Sequence, residues 1–357
     1  MKQLFRATVV AGALSVALSH PGRADVVLSG PDANDGTYST AALASFAASN
    51  SGSAIVDGTD GYNGVTLWGL LGGSTTSSTS TGPGSSTIVT YGGIATTTPS
   101  GYDSKNAILR DYLVATSATG AQSVVSLGEL NAGTSGFGTT SAYLAYQPSA
   151  GGPDLSAPSL IVPGATSRDL SNVVSLQLLS VPALPGPNSI PPNPAPTSIA
   201  VSGNTAAAGT YTQTQLNILA NQPSSPIAST IGTDTYTGVA LSTFLQATSP
   251  NPNGEIVIAQ GGDGYEIVYA LGELLNNNCT GGGCDLLTGE STGSDFTADD
   301  PARTILSTDS ANKHGRYDSN VSALIVEDAI PEPASLALLA SAIAGVVVLR
   351  RRGAAKA

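Results

Sequence analysis

The chain has 357 residues, including 42 glycines and 22 prolines, with 11% charged and 5% aromatic positions. That much Gly and Pro favours strands and turns over long helices, and a hydrophobic share of 41% excludes wholesale disorder. A formal charge of −12 excludes nucleic-acid binding, which needs clustered Lys and Arg.

Lys2 and Arg6 precede an apolar stretch at residues 7–18, followed by Ser19, Pro21, Gly22 and Ala24. Residues 1–24 read as a secretory signal peptide, the substrate of the Sec translocon and signal peptidase. Behind it, helical spacing with Ser or Thr caps predicts short helices over 40–48 and 214–220. Strands are predicted over 86–91, 113–115, 160–162, 173–181, 255–259, 266–270 and 323–326, where apolar residues alternate or run on between turns. Residues 74–87 hold 11 Ser or Thr in 14 positions and predict a flexible surface loop. Residues 182–197 hold 7 prolines in 16 positions and predict a stiff spacer.

Comparing the chain with itself reveals a duplication. Val27-Leu28-Ser29-Gly30 leads to Gly36-Thr37-Tyr38, and Ala200-Val201-Ser202-Gly203 leads to Gly209-Thr210-Tyr211. Tyr62-Asn63-Gly64-Val65-Thr66-Leu67 matches Tyr236-Thr237-Gly238-Val239-Ala240-Leu241, and Leu127-Gly128-Glu129-Leu130 recurs as Leu271-Gly272-Glu273-Leu274. Arg168, Ser171, Asn172, Val173 and Leu176 correspond to Arg316, Ser319, Asn320, Val321 and Leu324. The predicted architecture is α+β, mostly β: one domain over 25–181, a Pro-rich linker over 182–197 and a second domain over 198–329, like two beads on a rod.

The tail, residues 330–357, opens with Pro331-Glu332-Pro333, continues through an apolar segment at 334–349, and closes on Arg350, Arg351 and Arg352. The segment reads as a short transmembrane helix, with the basic cluster on the cytoplasmic side. This order resembles the PEP-CTERM sorting signal of Gram-negative bacteria. The resemblance implies processing by an exosortase, a membrane transpeptidase, and transient inner-membrane anchoring before delivery to the cell envelope, surface or extracellular matrix. An exopolysaccharide of that matrix is the partner it suggests. The part between the signals carries 6 basic and 24 acidic residues, a net −18.

The repeated segments around Gly238, together with Gly262-Asp263-Gly264-Tyr265 and Leu271-Gly272-Glu273-Leu274, resemble the molybdopterin-binding domain of the sulfite oxidase family. So do Tyr143-Leu144-Ala145-Tyr146 and Leu160-Ile161-Val162-Pro163-Gly164 in the first copy. In that family a cysteine just ahead of the Gly-Val-x-Leu segment ligates molybdenum. Residues 51–61 and 225–235 contain none, so no soft ligand stands at the implied place. Cys279 and Cys284 fall on the wrong side of the motif and are read as a disulfide closing a Gly-rich loop. Arg168 and Arg316 are read either as a vestigial anion site or as structural ion pairs with Asp169 and Asp318.

No catalytic residue and no metal ligand set is assigned, since His314 is the lone histidine beyond the signal region. Calcium is left open through turn acids at Asp32, Asp35, Asp57, Asp60, Asp295, Asp299 and Asp300, none of which has the spacing of a full calcium loop. The reading favoured by the sorting tail and the missing cysteines is an exported, non-catalytic binding or scaffold protein with no cofactor. The alternatives are a periplasmic molybdopterin oxidoreductase and a calcium-dependent adhesive module.

Overall fold

The computed structural model describes residues 24–30, 36–51, 54–56, 60–72, 74–77, 87–91, 94–95, 107–130, 141–181, 196–221, 227–231, 234–246, 248, 251–262, 265–276, 285–289, 302–307, 316–318 and 320–329. In the first half the elements run β1 (Val26–Ser29), β2 (Gly36–Tyr38), α1 (Thr40–Ser49), β3 (Ala54–Ile55), β4 (Tyr62–Thr66), α2 (Leu67–Leu70), β5 (Ser74–Ser77), β6 (Thr87–Tyr91), β7 (Ile94–Ala95), β8 (Asp111–Ser117), β9 (Gln122–Ser126), α3 (Leu127–Leu130), β10 (Tyr143–Pro148), β11 (Ser159–Ile161) and β12 (Val173–Ser180). The second half runs β13 (Ser198–Gly203), β14 (Gly209–Thr212), α4 (Gln213–Ala220), β15 (Ile227–Ile231), β16 (Asp234–Ala240), β17 (Glu255–Gly261), β18 (Glu266–Ala270), α5 (Leu271–Asn276), β19 (Leu286–Gly289), β20 (Ala302–Ile305) and β21 (Val321–Asp328).

The two halves repeat one topology. The five-stranded sheet β2-β1-β12-β8-β9 has the same order as β14-β13-β21-β17-β18, and the four-stranded sheet β11-β10-β4-β3 answers β20-β19-β16-β15. In each half the first strand pairs in parallel with the last, β1 with β12 and β13 with β21, so the sheet is closed only when the end of that half's sequence returns to its beginning.

The repeated motif residues sit where the backbone leaves few options. Gly30 and Gly203 have φ of 141° and 87°, and a Cβ at either would run into the backbone or Cβ of the neighbouring strand at Leu178 or Val326. Asn172 and Asn320 both take left-handed φ, 54° and 59°, a region Asn tolerates better than most residues. Their carbonyls accept the N–H of Ala118 and Gly262 at the equivalent hairpin corners. At Gly64 a Cβ would lie 2.6 Å from the Leu144 carbonyl oxygen, and Gly238 faces Leu287 in the same way, so each glycine lets strand β10 or β19 close on its partner.

Two expectations are corrected, and a third falls on residues the structure does not describe. The class is mostly β, with four principal sheets in a propeller-like arrangement, because the described α-helices span only 4 to 10 residues and sit at strand ends. The halves are not beads on a rod: they share a core. Within β8, β9, β17 and β18 the side chains divide by the strand's two-residue period. Leu113, Ala115, Val125, Val257, Ala259, Ile267 and Tyr269 join the main core, while Tyr112, Val114, Val124, Ile256, Ile258, Val268 and Ala270 form a second cluster drawn from both halves. That second cluster is the seam. Finally, no described helix is long and apolar enough to cross a membrane; the segment 334–349, like 1–23 and most of the 182–197 spacer, lies outside the described residues.

The Ser/Thr-rich stretch also differs from its expectation at its ends. Ser74–Ser77 and Thr87–Tyr91 pair antiparallel, and β7 extends them to a three-stranded sheet, since β-branched Thr suits an extended backbone.

Candidate functional site

Two arginines and two glutamates are buried at the seam: Glu129 and Arg168 from the first half, Glu273 and Arg316 from the second, none more than 5% exposed. The glutamates sit on the one-turn to two-turn helices α3 and α5 that follow the hairpins β8–β9 and β17–β18. Helix α3 is held at its start by the Ser126 hydroxyl, which accepts the Glu129 N–H at 3.2 Å. Arg168 arrives on a single 3-10 turn, Thr166–Arg168, and its carbonyl accepts the Ser123 hydroxyl at 2.7 Å. Arg316 is held by its carbonyl, which accepts the Tyr269 hydroxyl at 2.5 Å, and its guanidinium lies 5.5 Å from the centre of the Tyr269 ring.

Each arginine pairs within its own half. Arg168 donates from both terminal nitrogens to Glu129, at 2.5 and 2.9 Å, and from one of them to the Val124 carbonyl at 2.8 Å. Arg316 donates to Glu273 at 2.6 Å. Each arginine stem also lies over the other half's helix glycine: a Cβ on Gly128 would be 3.2 Å from Arg316 Cδ, and one on Gly272 would be 3.3 Å from Arg168 Cδ. The contact is reciprocal, the pattern of a two-fold interface, here within one chain. Asn253 adds a link across the seam, donating to the Ser167 carbonyl at 2.6 Å.

Electrostatically the two pairs form one group. Burial raises the Glu273 carboxyl to about 8 against the opposing pull of Arg316, with Glu129 adding to the rise and Arg168 opposing it. A carboxyl raised from 4.5 in the fold contributes stability that is full below pH 4.5 and is lost as pH rises through about 8. Urea midpoints measured from pH 5 to 9 should therefore fall for the parent relative to Glu273→Gln, whose amide does not titrate. A constant gap between the two across that range would refute this assignment.

The residues singled out by sequence fall into two main groups. Arg168 and Arg316 are brought together, but as ion pairs to the repeated glutamates rather than to the neighbouring aspartates; the Asp169 carboxylate instead accepts the Val162 N–H at 2.8 Å. Cys279, Cys284, His314, the box Pro331-Glu332-Pro333, the cluster Arg350 to Arg352 and every turn acid named for calcium except Asp60 lie outside the described residues. Among the described residues no three metal-ligating side chains converge. Sequence reasoning missed Glu129 and Glu273 as the partners, although both repeat in step with the arginines.

Residues 329–352 match the PEP-CTERM protein-sorting motif. The chain carries an exosortase sorting signal. It is accordingly an exported cell-surface protein with exosortase as its processing partner. No curated protein matches it. The resemblance of the two halves to the sulfite oxidase-type domain finds no support, and neither do the disulfide and the membrane anchor.

Proposed function

We propose that the two-halved body is a non-catalytic binding or scaffold unit that the sorting signal delivers to the surface or extracellular matrix. One observation supports this above the rest: the side chains and glycines repeated between the halves are spent on architecture. Gly30 and Gly203 close the parallel sheet, Gly64 and Gly238 admit a neighbouring strand, and the Glu–Arg pairs with Gly128 and Gly272 fill the seam. Duplication has kept what a rigid body needs. The net charge of −18 between the two signals keeps such a body soluble in the matrix and leaves contact with neutral glycans or cations unopposed.

The test is export of the full chain from a Gram-negative host that contains an exosortase. The parent is expected in the surface and matrix fractions with no stoichiometric molybdenum, and a chain with Pro331, Glu332 and Pro333 all changed to Ala is expected to stay with the cells. Stoichiometric molybdenum together with pterin fluorescence after acid oxidation would overturn the non-catalytic reading.

A further inference from the structure

The sorting motif begins inside the fold. Its first residue, Ala329, is fully buried and packs in the seam cluster with Tyr112, Val114, Val124, Ile256 and Ile258. Both of its backbone groups are already used: its N–H donates to the Gly254 carbonyl at 2.9 Å, and its carbonyl accepts the Tyr112 hydroxyl at 2.8 Å. Tyr112 belongs to the first half and Gly254 to the second, so the pin exists only when both halves are folded and docked. In sequence a single residue, Ile330, separates Ala329 from the box.

A processing enzyme commonly takes its substrate as extended backbone, pairing with the substrate's N–H and C=O groups. At Ala329 those groups are engaged with the body, and the methyl is in a dry cluster. We propose that the folded body withholds the N-terminal flank of the sorting motif from the exosortase, and that processing proceeds through transient release of Ala329 from Tyr112 and Gly254. This rests on the exosortase reading of the tail and adds to it a control built from the seam. The apparent rate then scales with the released fraction. Two hydrogen bonds and one buried methyl hold that fraction to about a tenth or less.

The decisive variant inserts eight Gly/Ser residues between Ala329 and Ile330 in the full chain, leaving the pin intact and moving the box beyond it. Tail loss is followed by intact mass in an exosortase-containing host. The spacer chain should lose its tail at least about tenfold faster than the parent at an unchanged melting temperature. Tyr112→Phe, which keeps the ring and removes the hydroxyl, should also accelerate processing and should speed hydrogen exchange at the Ala329 amide. Combined with the spacer it should add nothing; additive effects would mean that Tyr112→Phe acts through general destabilisation. A spacer chain processed at the parental rate, or more slowly, overturns the proposal. A parent chain that keeps its tail in that host fails the exosortase reading itself, and the proposal with it.

Discussion

Changing Arg168 to Met is expected to lower the folding stability of the whole chain by about 3–5 kcal/mol, the usual cost of stripping one partner from a buried ion pair. Met keeps the length and apolar character of the stem over Gly272, so the loss is mainly electrostatic. Glu129, 1% exposed, would be left with two oxygens that now face Arg168 and no other cation at hydrogen-bond distance among the described residues. The Val124 carbonyl would lose its guanidinium donor as well. Pairing the change with Glu129→Leu removes the orphaned charge and should recover most of the deficit, because a buried pair replaced as a unit by apolar groups is often neutral. Urea unfolding of the parent, the single variant and the double variant checks this. A single variant within 1 kcal/mol of the parent would show that the pair carries little.

The same experiment reports on the seam. Arg168 reaches into the second half at Gly272, and the sheets β8–β9 and β17–β18 share one apolar cluster, so damage in either half should lower one common transition. Two resolved transitions in calorimetry would return the halves to independence. That outcome would also weaken the pin at Ala329, which needs Tyr112 from one half and Gly254 from the other.

Much of this architecture is legible in the residues, and what is missed has identifiable causes. The helices expected over 40–48 and 214–220 and the long strands expected over 173–181, 255–259, 266–270 and 323–326 are present within a few residues, because their apolar periods and caps act locally. The seam is written in the same strands but in a subtler form. Residues 255–259 and 266–270 are apolar nearly without alternation, the mark of a strand covered on both faces, and the second cover can only be the other half. The proline-rich stretch draws attention away from that pattern by suggesting separation. The ion pairs were hidden for another reason. Each arginine has an aspartate close by in sequence, whereas its partner glutamate lies 39 or 43 residues back on a helix that only tertiary packing brings near. The parallel recurrence of Glu and Arg in both copies was the available signal. The sorting motif is the opposite case: a short linear signal, readable without any knowledge of the body it follows.

The second large effect is expected at Gly203. Changed to Ala, this residue must hold a side chain at φ 87°, which costs about 1–2 kcal/mol, and must also place a Cβ against the backbone of Val326, 2.9 Å from its carbonyl carbon and 3.0 Å from its nitrogen. Backbone in the middle of a sheet cannot step aside as a side chain can. Val326 is paired on both flanks, with Gly203 in β13 and Val257 in β17, so any shift is passed to two ladders. Overpacking of this kind adds about 1–3 kcal/mol, for a total of about 3–5 kcal/mol. Gly30→Ala should cost a similar amount in the first half, where Leu178 takes the place of Val326. The control is Gly209→Ala, on the edge strand β14 with an ordinary φ and nothing within 4 Å of the added Cβ; it should change stability by less than about 1 kcal/mol. Thermal unfolding of the three variants separates the two causes. Equal losses at Gly203 and Gly209 would mean that loss of glycine alone, rather than the closing parallel strand, sets the cost, and the structural reason given for the repeated Ser-Gly motif would fall.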